Sequence, residues 1–188
     1  MQKLLKFAQT IDFLIEKVAK LSMIFLWILC LLVFFLAVAL NFSYVNSALD
    51  DLSMYCFALM VFLSFSYALK EDKHVRLDLI YAHYSLKTKT LSWMIVNFFF
   101  VLPFSLVLIK YGLDFTIQSF SIMEASPNGR VPYYFIFKSF LIVGFTLLAI
   151  CAISEGIKAL IALLNKDYLQ NSDAYMQEFN EVKEILGQ

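Results

Sequence analysis

From Leu21 to Leu49 the chain carries no charged side chain, and Leu21–Leu40 is almost wholly aliphatic or aromatic. An α-helix rises about 1.5 Å per residue, so about 20 such residues cross the hydrocarbon of a bilayer. This stretch predicts a membrane-spanning helix. Leu52–Leu69 and Leu91–Ile109 are likewise free of charge and predict two more. A fourth run, Tyr133–Ser154, is interrupted by Lys138 one turn inside its start. The long lysine stem can snorkel to the headgroups, so the interruption does not forbid a span. Strands are excluded because the runs are too long and lack period-two alternation. The fold expected is therefore an all-α integral membrane protein with spans at 21–42, 52–69, 91–109 and 133–154.

Composition agrees. Hydrophobic residues make up 61% of the 188 and charged ones 16%, against about 45–50% and about 25% in soluble domains. A chain this short cannot bury such a surplus, and a soluble monomer would expose large apolar patches. Twenty phenylalanines and ten tyrosines exclude a solvated, disordered chain. Net charge is zero, with 15 basic and 15 acidic residues, so no basic surplus exists to neutralise nucleic-acid phosphates. Cys30, Cys56 and Cys151 lie in apolar runs without a C-x-x-C pair, which supports neither a zinc site nor a redox motif. His74 and His83 both fall between spans two and three, which leaves no imidazole inside the bundle for haem. Ser126 near Glu124 has no base close in sequence and is not a nucleophile constellation. No cofactor and no enzymatic activity are expected.

The first span is read as an anchor rather than a cleaved leader, although Ala37-Val38-Ala39 resembles a cleavage site. The segment before it contains Asp12 and Glu16, and the apolar run exceeds the usual length. Four spans place both termini on one side, together with the loop between spans two and three. That side holds Lys3, Lys6, Lys17, Lys20, Lys70, Lys73, Arg76, Lys87, Lys89, Lys158, Lys166 and Lys183; the other has Lys110, Arg130 and Lys138. Basic residues collect on the cytoplasmic side. Both termini are therefore expected in the cytoplasm of a cell whose inner membrane holds the protein.

Outside the spans, Leu4, Phe7, Ile11, Leu14 and Val18 recur at steps of three and four, with lysines and acids elsewhere on the wheel. Residues 1–20 thus predict an amphipathic interfacial helix whose lysines sit near anionic lipid. The cytoplasmic loop from Lys70 to Lys89 is a second interfacial segment, with Val75, Leu79, Ile80 and Leu86 to face the membrane. Residues 165–188 form an acidic tail, in which Met176, Phe179, Val182 and Leu186 make a weak stripe. Transport by this chain alone is not expected, because carriers place ionisable groups or broken helices at the midplane of repeated halves. Here the charges sit at span ends: Asp50 and Asp51, Lys110 and Asp114, Glu155. Pro103 inside span three predicts a kink.

Span two opens at Asp50-Asp51, ends in Tyr67-Ala68-Leu69-Lys70, and is followed by His74-Val75-Arg76-Leu77-Asp78. This order resembles the acidic start, apolar span and H-V-R-V-D pattern of the DctQ-like small permease subunit of TRAP (tripartite ATP-independent periplasmic) transporters. Ser121, Glu124, Ser126, Pro127 and Gly129, then Lys138 and a span containing Gly144, resemble that family's stretch between its third and fourth spans. The resemblance covers roughly Leu21 to Leu164. Departures are Asn41 where the family often has arginine, Asp-Asp where glutamate is usual, and Leu77 in place of valine.

The resemblance implies one part of a sodium-coupled uptake system for organic acids. A periplasmic binding protein and a large permease subunit would be its partners, with this chain as a scaffold. Asp50 and Asp51 are then candidate contacts to a partner, or else favour the helix N-terminus through its dipole. Glu124 and Arg130, in the extended external loop, and Lys138 are candidate docking points. His74, Arg76 and Asp78 are candidates for orienting the cytoplasmic interface, with Arg76 reaching lipid phosphate or a partner. The alternative is a self-contained four-span membrane protein, such as a small channel or a respiratory anchor subunit. An anchor would need haem or quinone groups, and a channel a polar face through every span.

Overall fold

A computed structural model describes residues 2–43, 45–71, 86–126, 128 and 131–164. His74, Arg76, Asp78, Arg130 and the acidic tail lie outside the described residues, as does most of the loop between spans two and three. Everything regular among the described residues is helical. α1 is Gln2–Asn41, α2 Ser47–Lys70 and α3 Leu86–Ile95; α3 passes through a π-helical segment, Val96–Val101, into α4, Leu102–Ser121, and α5 is Phe135–Leu164. Four stretches are long and apolar enough to cross a membrane, 4–41, 47–70, 87–121 and 135–164.

Each expected span overlaps one long helical stretch, which runs well past the expected bounds on at least one side. α1 continues through Lys20 and Leu21 without a break, so the expected interfacial helix and first span are one 40-residue helix. At about 1.5 Å per residue it is about 60 Å long, twice the hydrocarbon thickness of about 30 Å. α4 runs beyond Ile109 through Lys110 and Asp114, an exposed i,i+4 pair, and ends at Ser121. α5 continues ten residues past Ser154. Hydropathy marks where charge resumes, and charge does not end a helix when its side chains point to water or to a partner.

α2 begins where it does because Asn46, with extended backbone, accepts a hydrogen bond from Ala48 N at 3.0 Å. Asp50 lies in the first turn and complements the helix dipole. The expected kink at Pro103 takes a specific form. A proline ring inside a helix clashes with the carbonyl four residues back and donates no hydrogen bond. Here the turns just before Pro103 widen to π-helix, and Leu102 N donates to Asn97 O. The wider turn carries Asn97 into the protein, where it is fully buried and its Nδ2 donates to Trp93 O at 2.9 Å.

α1 packs on α2, α2 on α5 and α5 on α4, so the helices lie side by side in the order α1, α2, α5, α4. α3 and the opening turns of α1 close onto α5. α2 and α5 run parallel: Tyr55 stacks on Phe137, Gly144 abuts Phe62, and Cys151 Sγ donates to Ser66 O at 3.2 Å. α5 is the centre of the layer, with Gly144, Ala149, Cys151, Ala152, Ser154, Gly156, Ala159 and Ala162 buried along it. Apolar area cannot drive such packing where lipid is equally apolar, so small side chains that let backbones approach take its place. A β-carbon on Gly144 would come within 2.7 Å of Phe62 Cβ, and one on Gly156 within 2.5 Å of the Phe98 ring.

The first turns of α1 do not follow α5 away from the layer. Ser154 donates to Ala8 O at 3.4 Å and Lys158 to Asp12 Oδ1 at 2.9 Å. Residue numbers rise together in the two helices, although α1 otherwise runs against α5's direction. The opening of α1 therefore crosses the end of α5. Its buried stripe is Ala8, Ile11, Ile15, Ala19 and Ser22, rotated from the apolar face expected from sequence. Leu4, Phe7 and Leu14 of that expected face stay exposed.

Candidate functional site

Two polar clusters cap the layer at opposite ends. The first sits where α2 begins. Asp51 is buried, and its carboxylate accepts from Ser126 Oγ at 2.5 Å and Asn128 Nδ2 at 2.7 Å. Ser126 in turn accepts from Val131 N, and its own N–H donates to Val131 O. Ser126, Asn128 and Val131 are thereby drawn over the start of α2. Asp50, next in sequence, points out and is exposed. Of the two acidic candidates, one is consumed inside the protein and the other is presented to the surroundings.

Glu124 and Lys138 belong to the same cluster and pair at 2.5 Å. Lys138 does not snorkel as expected. Its side chain is 7% exposed, and its ammonium lies 3.7 Å from the Phe115 ring centroid of α4. One lysine thus joins the loop, α5 and α4 through an ion pair and a cation–π contact. Tyr134 N donates to Glu124 O at 2.9 Å and closes the loop at its other end. The hydrogen bond from Lys138, above all, holds the Glu124 carboxyl below the usual carboxylate range. A lowered carboxyl value stabilises the folded state at neutral pH, and that contribution is lost as pH falls through the lowered value. Wild type and Glu124→Gln are therefore expected to differ in thermal midpoint at pH 7 and to converge below about pH 4, the ordinary glutamate range. A difference that persists unchanged into acid would show that the pair does not act through charge.

The second cluster lies at the end where α2 finishes. Lys70 pairs with Glu16, and Lys158 pairs with Asp12 at 2.9 Å and with Glu155 at 2.5 Å. Trp93 of α3 also donates to Glu155. Four segments remote in sequence, the start of α1, the end of α2, α3 and the end of α5, meet in this cluster. None of Asp12, Glu16, Lys70, Glu155 and Lys158 is among the contact candidates read from the sequence. Counting basic residues assigns them a side of the membrane and says nothing of their partners. The signal was present as acids in α1 facing lysines at the ends of α2 and α5, but only the crossing of α1 over α5 brings them together.

Between the two clusters the described spans hold no ion pair and no group of three His, Cys, Asp or Glu side chains placed for a metal. The edges of the layer are apolar. α1 exposes Trp27, Leu31 and Phe34, and Phe42 follows it, each exposed by 67% or more, and the π segment leading into α4 exposes Phe99 and Phe100. What the arrangement offers is a clamped layer with two wide apolar edges.

The model of one protein family, tripartite ATP-independent periplasmic transporters, DctQ component, matches residues 37–161. The match runs from the last turns of α1 to the end of α5 and takes in more than half of the chain. The chain belongs to the DctQ family. It is a component of a TRAP transporter and a multi-pass membrane protein, in a family of transporter components rather than enzymes. Family membership implies association with the large permease subunit and a binding protein. The match opens later than the Leu21 expected from motifs, so most of α1, with Asp12 and Glu16, lies before it. Both clamps of the Asp51 end, and Glu155 and Lys158 of the other, lie within it. Comparisons with curated proteins and with solved structures found no match.

Proposed function

We propose that this DctQ-family chain is the scaffold of a sodium-coupled, binding-protein-dependent importer of organic acids. In this reading it stiffens the large permease subunit and moves nothing itself. The observation that carries it is the fate of the charges. The ion pairs Lys70–Glu16, Lys158–Asp12 and Lys138–Glu124 tie separate segments of this chain together at one end of the layer or the other, and Lys158–Glu155 lies within α5 at one of those ends. The middle is mostly apolar and small side chains, with Asn97 buried among them. Carriers need polar groups at the midplane that bind and release. A scaffold needs rigid ends and broad lateral faces, and α1 and α4 supply such faces at the two edges. The basic-residue asymmetry supports an orientation with both termini in the cytoplasm of the inner membrane, which puts Asp50, Glu124 and Lys138 on the periplasmic side with the binding protein.

Reconstitution tests the reading. Vesicles holding this chain alone, given a sodium gradient, binding protein and organic acid, are expected to show no uptake. Vesicles holding it with the large subunit are expected to accumulate the acid, and those with the large subunit alone to lose most of that rate. Uptake by this chain alone would refute the scaffold role. Full activity of the large subunit without it would do the same.

A further inference from the structure

α1 begins with lysines and acids mixed along the helix, but the fold separates them. Asp12 and Glu16 flank the buried stripe and pair with Lys158 and Lys70. Lys6, Lys17 and Lys20 lie on the face opposite the buried stripe of Ala8, Ile11, Ile15 and Ala19, all exposed, and none is bridged to a carboxylate of the described residues. At 100° per residue these three and Phe13 fall within about one quarter of the helix circumference. Phe13 is 59% exposed, with the Lys17 ammonium 4.4 Å from its ring centroid. Phe7, Leu14 and Leu21 flank the lysines and are also exposed. The face is cationic with an apolar border, the pattern of a helix seated at a bilayer surface.

Depth points the same way. Glu16 is tied to Lys70, the last residue of α2, while Ala8 and Asp12 are tied to Ser154 and Lys158 near the end of α5. Residues 8–16 therefore stay level with the ends of two membrane-spanning helices instead of projecting beyond them. Lys6 and Lys17, which flank this stretch on either side, are thereby held at the depth of the headgroup phosphates. Water is a poor neighbour for the exposed Phe7, Phe13 and Leu14, and a zwitterionic surface leaves the lysines' charge without a net counter-charge.

We propose that the face formed by Lys6, Phe13, Lys17 and Lys20 is a docking surface for the phosphate headgroups of anionic phospholipids, in the leaflet at the Lys70 end of the layer. The lysines take the phosphates, and Phe7, Phe13 and Leu14 enter the boundary between headgroup and acyl chain. The pairing of both acids makes this possible, because an unpaired Asp12 or Glu16 would repel the same phosphates. Bound lipid would hold the opening of α1 across the end of α5. The proposal needs only that the helices span the membrane, and stands apart from any role in uptake.

The test is native mass spectrometry of the full chain in detergent, titrated with phosphatidylglycerol and, separately, with phosphatidylcholine. Wild type is expected to bind phosphatidylglycerol more tightly. The variant Lys6→Gln/Lys17→Gln/Lys20→Gln is expected to lose that preference, by about fivefold per lysine that faces the headgroups, with phosphatidylcholine binding unchanged. Lys→Arg at the same three positions keeps the charge and should retain the preference, which separates lost charge from lost fold. Lys110→Gln, at the far end of the layer, should leave it intact. Equal binding of the two lipids by wild type, or an undiminished preference in the glutamine variant, overturns the proposal. So does a preference that emerges only after Asp167, Asp173, Glu178, Glu181 and Glu184 are changed to their amides, since the chain's own acidic tail would then be the occupant.

Discussion

Gly144→Ala is expected to lower the thermal midpoint of the purified subunit by several degrees, and Gly144→Leu to prevent a folded subunit from accumulating. Gly144 of α5 packs against the backbone of α2 at Phe62. A β-carbon there would lie 2.7 Å from Phe62 Cβ and 2.9 Å from Phe62 O. Both obstacles belong to the backbone or its first side-chain atom, so no rotamer change relieves them and the helices must part. Overpacking of this kind costs about 1–3 kcal/mol, and each kcal/mol moves the midpoint of a chain this size by about 2–4 °C. Two other glycines calibrate the result. At Gly112 the obstacle is Leu141 Cδ2, the far end of a flexible side chain, and Gly112→Ala is expected to shift the midpoint little. At Gly156 it is the Phe98 ring, held in the π-helical segment, and an intermediate shift is expected. Thermal unfolding of the three alanine variants in one detergent checks the order. If Gly112→Ala proves as damaging as Gly144→Ala, the α2–α5 contact is not the tight seam of the layer.

This series also marks what could be read from the sequence. Four apolar stretches gave the spans, and the order of Asp50-Asp51, the His74–Asp78 segment and the Glu124–Lys138 region pointed to the DctQ family before any geometry. Facing was beyond reach. Asp50 and Asp51 are neighbours in sequence, and the 100° turn between them sends one to solvent and the other to Ser126 and Asn128. Nothing local to the pair distinguishes them; the loop 75 residues later does. Lys138 was read as a snorkelling residue because hydropathy sees a lone charge at a span's start, whereas Glu124 and Phe115 meet it there. The π segment was hidden for a similar reason. Pro103 predicts a disturbance, but whether a helix kinks or widens depends on what its neighbours accept. Here Gly156 leaves room for Phe98, and the interior accepts Asn97.

Lys158→Met is expected to be the most damaging single change at the other end of the layer. Lys158 is one cation shared by two carboxylates, Asp12 at 2.9 Å and Glu155 at 2.5 Å, and its side chain is 24% exposed. Its removal leaves Asp12 and Glu155 facing each other across the contact between α1 and α5, with Glu155 only 8% exposed. Breaking a buried pair by deleting one partner costs about 3–5 kcal/mol because the remaining charge is uncompensated. Partial exposure argues for the lower end, about 3 kcal/mol, or a fall of about 6–12 °C in the thermal midpoint. The same logic predicts a rescue. In Lys158→Met/Asp12→Asn/Glu155→Gln no charge is stranded, and a neutral replacement of a buried ionic group is often close to neutral in stability. The triple variant should recover most of the lost midpoint although it has lost more native contacts than the single one. Lys70→Met provides the contrast, since its partner Glu16 has a side chain 46% exposed and can turn to water; exposed pairs contribute about 0–1 kcal/mol. Thermal unfolding of wild type and the three variants decides it. A single variant as stable as wild type would mean that the opening of α1 is not held to α5 by charge, and a triple variant no better than the single would place the damage in lost packing of the lysine stem.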